Sequence, residues 1–325
     1  MKRSLTMLFV LSLALMLFPT LAAANSSYLQ GEITTKTLWA GQNMDAGTVT
    51  VGIDGSDLCV TFDTDSGWLM LETHLYIGLT APTRSAPGQF PYSHEDLGGT
   101  DSDPYCIALS EIGATCDSMV YLAAHAELIK VGGTGCGSPQ WASNVVSYDQ
   151  GTLVGGGPIT DANRTDPDEA LGAPDLTFYS MGFVSNGDGY LVVEFDHPVF
   201  NGPGDDIVIY EVTFGRPGYP DEELDVYAMS GGTPYFAGTV TNHDSPDGRG
   251  TVAIPSSLMC VDAVKLVDAT DPADFASRPS ADGFDLDAVG ACYLCEGDET
   301  GWAEGTEIRP NRNWAMYFSV TIPCD

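Results

Sequence analysis

The strongest constraint on the fold is a pattern of short alternating apolar runs, each bounded by Gly, Asp or Pro. Alternation of apolar and polar residues over about four to eight positions is typical of strands that bury one face. The runs GTVTVGI at 47–53 and LCVTFDT at 58–64 flank a short polar turn and predict the first hairpin. Helix signals are nearly absent. The chain therefore predicts an all-β fold with two β-sandwich or jelly-roll domains.

The first 24 residues have the features of a secretory signal peptide. Lys2 and Arg3 give a basic start, an apolar run follows at 8–21, and three alanines at 22–24 fit a cleavage site. An uncleaved membrane anchor is the alternative, but the run is short for a bilayer span. We expect a secreted or cell-surface protein with no membrane span after signal removal.

The composition is strongly acidic, with 45 Asp and Glu residues against 12 Lys and Arg and a formal net charge of −33. Such a charge repels nucleic acid and anionic membrane surfaces, so we expect neither as a partner. It favours bound divalent cations, a saline habitat, or both. Charge alone does not separate these explanations.

Eight cysteines in an exported chain predict disulfide bonds. The Cys292–Cys295 spacing also matches a redox motif, but export and the even count favour a structural role. Sequence spacing and elimination rank the pairings. The predicted pairs are Cys106–Cys116, Cys260–Cys292, Cys136–Cys295 and Cys59–Cys324. A swap to Cys136–Cys292 and Cys260–Cys295 is the alternative that keeps the same boundary between the two domains.

The order of the patterns predicts one domain inserted in another. A Gly-rich stretch at 132–139 separates the first pattern from a second one that ends near Cys295. The remaining C-terminal segment is too short to fold alone, and its strand at 314–322 needs a sheet to join. The predicted units are a signal peptide at 1–24, a discontinuous β-sandwich host domain at 25–135 plus 296–325, and an inserted jelly-roll-like domain at 136–295.

Several motifs of the host segments together resemble a β-sandwich module of bacterial and archaeal secreted or cell-surface proteins. These motifs are GWLMLETHLYIGL, PGQFPY, VYLAAHAEL, GWAEGT and NWAMYFSVTI. In that module the AHA motif is often followed closely by a Glu-Thr-x-Trp segment, whereas here Glu299 to Trp302 follow after about 170 residues. The resemblance therefore implies an insertion. The inserted block, with ALGAPD, NGPGDDIVIYE and DGFDLDAVGA, resembles a second extracellular module, and neither resemblance carries a reaction.

The best metal-site candidate is an acidic set around the strand that begins near Asp285. Three carboxylates crowd into 282–287, and three more lie in the loop that leaves the preceding strand. Calcium takes about six to eight oxygen ligands, often from Asp side chains on loops. If these two strands pair, the loop brings both groups together; solvated turn aspartates are the alternative. The predicted Ca²⁺ ligands are Asp268, Asp271, Asp274, Asp282, Asp285 and Asp287.

A second acidic group has a weaker signal. Asp205 and Asp206 precede one strand, and Asp166, Asp168 and Asp175 lie in an earlier loop. They could form another cation site or complete the first one. Turn chemistry explains them equally well.

Two histidines on strands of the host domain are also candidates. His74 and His125, with Glu72 on the same strand face as His74, could bind zinc or act in acid–base catalysis. A hydrogen-bonded polar pair in the sandwich interior is the favoured reading.

Aromatic residues at or near loops could form a sugar-stacking platform. These are Trp141, Phe178, Tyr179, Tyr219, Tyr235 and Phe236.

These observations favour a binding protein over an enzyme without deciding between them, and they assign no catalytic residue. We expect a calcium-stabilised secreted or cell-surface protein that acts in adhesion, matrix assembly or glycan binding. Its expected partner is an extracellular glycan or a surface or matrix protein. The alternative is a secreted hydrolase acting on polysaccharide or peptide. A deep cleft with converging polar groups would favour the hydrolase, and a shallow aromatic face would favour binding.

Overall fold

The computed structural model describes residues 30–212, 218–244 and 247–324, so the predicted signal peptide at 1–24 lies outside the described residues. Within these ranges the chain forms 22 β-strands and three 3-10 helices at Pro87–Gln89, Ala162–Arg164 and Pro167–Ala170. Every strand pair is antiparallel in this part of the chain, which confirms the all-β class. No helix in these ranges has the length and apolar character needed to cross a membrane.

The strands are numbered in chain order. The first seven are β1 (Gly31–Ala40), β2 (Met44–Asp54), β3 (Asp57–Thr64), β4 (Trp68–Gly78), β5 (Tyr92–His94), β6 (Ser102–Ala108) and β7 (Met119–Gly132). The next six are β8 (Gln140–Trp141), β9 (Asn144–Asp149), β10 (Tyr179–Ser180), β11 (Tyr190–Glu194), β12 (Val199–Phe200) and β13 (Ile207–Glu211). The remaining strands are β14 (Glu223–Ser230), β15 (Thr233–Thr241), β16 (Arg249–Val252), β17 (Cys260–Val261), β18 (Ala263–Asp268), β19 (Asp285–Ala291), β20 (Leu294–Ala303), β21 (Thr306–Glu307) and β22 (Met316–Thr321).

A strongly curled sheet of 12 strands contains both ends of the described chain. Its main path runs β21-β22-β7-β20-β1-β2-β3-β6, with β4 paired to β7. The expected role of the C-terminal strand is confirmed, because β22 pairs with β7 through Phe318 and Leu122. The predicted domain boundaries stay a prediction, since β12 and β17 from the block 136–295 extend this same sheet through β20.

Apart from β12 and β17, the strands between β7 and β20 form two sheets of five strands each. One has the order β10-β19-β13-β16 with β8 on β19, and the other has the order β15-β14-β18-β11-β9. The two sheets enclose an apolar core that includes Leu191, Val226 and Leu286. The pairing of β18 with β19, on which the gathering of all six predicted calcium ligands depended, does not occur. β18 lies between β14 and β11 in one sheet, whereas β19 lies between β10 and β13 in the other.

All eight cysteines form disulfides, but none of the four predicted pairings is correct. The observed pairs are Cys59–Cys106, Cys116–Cys324, Cys136–Cys292 and Cys260–Cys295. The first joins directly opposite residues of β3 and β6, so Cys106 faces Cys59 and not Cys116. The C-terminal segment passes beside Cys116, where the Asp117 N–H donates to the Ile322 carbonyl.

The remaining two disulfides exchange the partners that spacing had predicted. The Gly135 N–H donates to the carbonyl of Cys292, which places Cys136 next to Cys292. Cys295 lies in β20. Strand β12 pairs with both β20 and β17, and β17 begins at Cys260. Sheet register therefore decides these pairings, and spacing along the chain does not show it.

Candidate functional site

A pocket of about 500 Å³ opens beside the start of β19. It lies between the 3-10 helix Ala162–Arg164, the end of β13 and the loop that precedes β19. Its charged and aromatic lining consists of Asp161, Arg164, Phe178, Tyr219, Arg278, Asp282 and Asp285. We call this cavity the acidic pocket. It has the size of a small-molecule site.

Two buried carboxylates, Asp282 and Asp285, form the acidic part of this pocket. Asp285 is the first residue of β19 and lies opposite Ser180 of β10, whose hydroxyl donates to its Oδ1 over 2.7 Å. Gly283 connects the two carboxylates with a φ of +76°, and a Cβ there would lie 2.5 Å from Oδ2 of Asp268. Only glycine tolerates both conditions. The turn at Gly283 therefore directs the side chains of Asp282 and Asp285 into the same pocket.

Arg164 is the cation that contacts both carboxylates. Its Nη1 lies 2.8 Å from Oδ2 of Asp282 and 3.5 Å from Oδ1 of Asp285. The helix that carries it begins after Asp161, whose side chain accepts a hydrogen bond from the Asn163 N–H. One guanidinium therefore faces two buried carboxylates. Charge is not balanced by this contact alone.

Burial shifts the pKa values of two carboxylates in this region. Burial and, to a smaller extent, the nearby charge of Asp282 raise the pKa of Asp285 to about 7, although Ser180 and Arg164 oppose the shift. Burial also raises the pKa of Asp268 to about 7, against hydrogen bonds from Phe284 and Thr270. A bound cation would favour the ionised form of Asp285 and lower its pKa.

Among the described residues, each pocket carboxylate has one oxygen that no donor reaches. Donors in the described part of the chain reach Oδ2 of Asp282 and Oδ1 of Asp285, and no donor there reaches the second oxygen of either group. Both side chains line the cavity. These two oxygens are therefore the ones that a cation or a hydroxyl group in the acidic pocket could contact.

The other predicted calcium ligands lie elsewhere. Asp287 accepts from the N–H groups of Asp175 and Leu176, one on each oxygen. Asp268 accepts from Phe284 and Thr270 and holds the loop before β19 against the end of β18. These two carboxylates are buried and engaged in structural hydrogen bonds.

The last two predicted ligands, Asp271 and Asp274, are exposed in the turn after β18, where Asp271 accepts from the Ala273 N–H. Across residues 30–212, 218–244 and 247–324, one group of three metal-capable side chains has its ligand atoms within 4.8 Å, namely Cys116, Asp117 and Cys324. Two of these form a disulfide. The structure thus brings Asp282 and Asp285 together, and calcium binding stays a prediction.

The second acidic group has local structural roles. Asp206 is fully buried and accepts from the N–H groups of Gly202 and Ile254. Asp166 caps the 3-10 helix Pro167–Ala170 by accepting from the Asp168 N–H. Turn and cap chemistry accounts for these carboxylates.

Two of the predicted aromatic residues line the acidic pocket. The guanidinium of Arg164 lies 4.9 Å from the ring centre of Phe178, and that of Arg278 lies 4.8 Å from the ring centre of Tyr219. The Tyr219 hydroxyl donates to Glu222 over 2.9 Å. The remaining aromatic candidates lie outside the lining: Tyr179 is buried, Trp141 packs against Tyr210, and Tyr235 and Phe236 are exposed on β15.

Arg164 and Arg278 were missed in the sequence. The available signal was the rarity of basic residues, since the chain has only 12 Lys and Arg against 45 Asp and Glu. In a chain with so few basic residues, each arginine is a candidate partner for buried carboxylates. Its position in the sequence does not say which ones.

The histidine pair lies in the curled sheet, far from the acidic pocket along the chain. His74 and His125 are directly opposite on β4 and β7, with ring centres 5.5 Å apart. The Nδ1 atom of each is buried without a hydrogen-bond partner, so the favoured reading as a hydrogen-bonded pair is wrong. Burial, together with the nearby His74, lowers the pKa of His125 to about 3.

Comparisons with protein-family models and with characterised proteins found no match to this chain. The family resemblance of the motifs therefore stays a prediction. The structure itself shows an all-β fold, a curled antiparallel sheet and four disulfides.

Proposed function

We propose that this protein binds an extracellular glycan in the acidic pocket, with a calcium ion between the protein and the sugar. The observation that carries this proposal is the lining of the pocket, which combines two carboxylates that each have an available oxygen with two aromatic rings and two arginines. Calcium needs about six to eight oxygen ligands. Asp282 and Asp285 supply some of them and leave positions for water and for sugar hydroxyls.

The electrostatics of the pocket support the cation. Asp285 has a pKa of about 7 because it is buried beside Asp282. A divalent ion at the available oxygens would favour its ionised form. Extracellular modules often bind calcium at roughly 10⁻⁴–10⁻³ M, which suits a weak site completed by a ligand.

The aromatic and basic residues support a sugar. Phe178 and Tyr219 offer apolar ring surface, and Arg164 and Arg278 offer N–H donors to hydroxyl or carboxylate oxygens. Ligand pockets typically combine aromatic walls with a few placed polar groups. The four disulfides fit an oxidising, extracytoplasmic environment in which such ligands occur.

A glycan array with the full mature chain, in calcium and in EDTA, tests this proposal. We expect calcium-dependent binding that Tyr219→Ala weakens and Asp285→Asn abolishes. Asp274→Asn is the matched control, because Asp274 is an exposed aspartate outside the pocket. Binding that is equal in EDTA, or equal in Asp285→Asn, would contradict the role of calcium in this pocket.

One observation favours a polysaccharide hydrolase as the second candidate. A carboxyl group with a raised pKa beside a second carboxylate is the arrangement that glycosidases use for general acid catalysis. Asp285, with a pKa of about 7, next to Asp282 has this form. Release of reducing ends from polysaccharides that bind on the array, lost in Asp285→Asn, would favour the hydrolase. Binding without any release would favour the glycan-binding protein.

We further propose the domain insertion predicted from the sequence. Two separate apolar cores support it: one includes Val49, Leu122 and Val320, and the other includes Leu191 and Leu286. In this arrangement the host sheet supports the inserted block that carries the acidic pocket. Replacement of 137–291 by a short linker, with Cys295→Ser because its partner Cys260 is removed, should leave a folded host domain, which circular dichroism and a cooperative melting transition would detect.

A further inference from the structure

We propose that His74 and His125 bind a divalent transition metal on the outer face of the curled sheet, and that zinc is the ion their donors fit best. The two residues are directly opposite on β4 and β7. Their strand neighbours Leu75 and Ala124 belong to the core of the curled sheet, so the histidines project to the other side. There His125 packs against Trp302, with ring centres 4.8 Å apart.

The first argument is the state of the two imidazole rings. His74 is 5% exposed and His125 is 2% exposed, and the Nδ1 atom of each is buried without a hydrogen-bond partner. Buried polar atoms without partners are rare and costly. A metal ion accepts a lone pair from each nitrogen and satisfies both atoms at once.

The geometry of the pair fits this role. Each Zn–N bond is about 2.0–2.1 Å, so two nitrogens on one tetrahedral zinc lie about 3.3 Å apart. Rings whose centres are 5.5 Å apart can bring facing nitrogens to that separation. Directly opposite residues of antiparallel strands have Cβ atoms about 4.5–5.5 Å apart, so both side chains reach one point above the sheet.

Two carboxylates supply the further ligands. Glu72 and Glu127 are also directly opposite on β4 and β7, and each lies two residues from one of the histidines. Glu72 is partly exposed and Glu127 is exposed, so both side chains have room to rotate. One of them must turn toward the histidines to bind, because no three of these ligand atoms lie within 4.8 Å of one another in the described structure. Two histidines, one carboxylate and a water or second carboxylate complete a tetrahedral zinc site.

This site differs in chemistry and place from the acidic pocket. Imidazole nitrogens suit zinc and related transition metals, whereas carboxylate oxygens without nitrogen suit calcium. The pocket carboxylates lie at the start of β19, which belongs to a different sheet from β4 and β7. Calcium in excess should therefore leave the histidine site free for zinc.

Zinc titration of the full mature chain tests the proposal. The protein is first stripped with EDTA, then titrated in excess calcium against a chromophoric zinc indicator. We expect one zinc per chain, and at least about a tenfold loss of affinity in His74→Gln and in His125→Gln. His197→Gln and His243→Gln are matched controls, since His197 is exposed and His243 contacts Asp221 at the surface. Zinc should raise the melting temperature of the wild type and of both controls only.

Two further measurements keep the test independent of how the histidine variants fold. Spectra of the imidazole ring signals in wild-type protein resolve five histidines, and zinc should shift two of them strongly. At least one of Glu72→Gln and Glu127→Gln should weaken binding. Absence of zinc binding, shifts at histidines other than His74 and His125, or unchanged affinity in both glutamate variants would each overturn the proposal.

Discussion

The acidic pocket and the histidine pair both bury polar groups, but they do so in opposite ways. Asp282 and Asp285 share one cation, Arg164, and Ser180 donates to Asp285 alone, so two carboxylates contact one guanidinium. His74 and His125 have a different problem, because the Nδ1 atom of each ring has no hydrogen-bond partner among the described residues. In the acidic pocket, two carboxylates contact a single guanidinium. In the histidine pair, two ring nitrogens have no hydrogen-bond partner among the described residues.

This difference explains why two different ions suit the two regions. A deficit of positive charge among oxygen atoms favours a hard cation such as calcium. Two available imidazole nitrogens favour a borderline metal such as zinc. Changes of charge, of pH and of side-chain polarity should therefore affect the two regions differently.

The largest expected effect is the removal of the cation from the acidic pocket. Arg164→Met should lower the free energy of unfolding by about 3 kcal/mol at pH 8 in EDTA, because it leaves two buried carboxylates without their cation. Calcium should restore part of the loss if it occupies the same charge deficit. Denaturant titration measures both values. Arg312→Met, at an exposed arginine, is the control and should change little.

The same variant should be milder in acid. The pKa of Asp285 is about 7, so at pH 5 this carboxyl is largely protonated and needs no cation. A loss at pH 5 as large as that at pH 8 would mean that Arg164 acts through packing on Phe178 and not through charge.

The next largest effect is a pair of opposite pH dependences. In the folded state Asp285 holds its proton up to a pKa of about 7, against an ordinary value of 3.8, so its contribution to stability is full below pH 4 and lost as pH rises through 7. His125 has a folded pKa of about 3, against 6.5, so its contribution is full above pH 6.5 and lost as pH falls through 3.

Substitution of each residue should separately reveal its contribution to the pH dependence of stability. Relative to wild type, Asp285→Asn should become more stable as pH rises from 5 to 8, by about 1 kcal/mol per pH unit. His125→Leu should become relatively more stable as pH falls from 6.5 to 4, by a similar amount. Melting curves in EDTA across this range measure both. Parallel slopes for the two variants would remove the distinction between the regions.

Apolar replacement of the histidines should have a smaller effect near neutral pH. His125→Leu removes a buried nitrogen without a partner, so we expect it to be neutral or to raise the free energy of unfolding by up to about 1 kcal/mol in EDTA at pH 7. The same measurement with zinc should reverse the order, because only the wild type gains from the metal. A loss of several kcal/mol in EDTA would show that the ring makes essential packing contacts.

The sequence predicted the parts of this fold that local patterns encode. Alternating runs such as those at 47–53 and 58–64 became β2 and β3, and the C-terminal strand joined the sheet of the first segment as expected. Disulfide pairing failed because it depends on sheet register: Cys59 meets Cys106 only when β3 and β6 lie side by side. That contact links residues 47 positions apart and has no local signal.

The candidate site shows the same limit. The crowding at 282–287 predicted a cation site; the structure buries Asp282, Asp285 and Asp287, and the cation stays a prediction. What crowding could not show is which carboxylates have structural donors, since the donors of Asp287 come from the backbone at 175–176. Arg164 likewise lies 118 positions from Asp282. Partners that distant are supplied by the fold and not by the motif.

The smallest expected effect concerns Asp271 and Asp274, the two predicted ligands that the structure leaves exposed. The double variant Asp271→Asn with Asp274→Asn should change the free energy of unfolding by less than about 0.5 kcal/mol, since surface substitutions away from special features usually fall in this range. Its calcium-induced rise in melting temperature should equal that of the wild type. Calorimetric titration of calcium into both proteins provides the second readout. If the double variant loses calcium binding while Asp285→Asn keeps it, the cation belongs to the turn after β18, and the acidic pocket would have to balance its charge through its ligand alone.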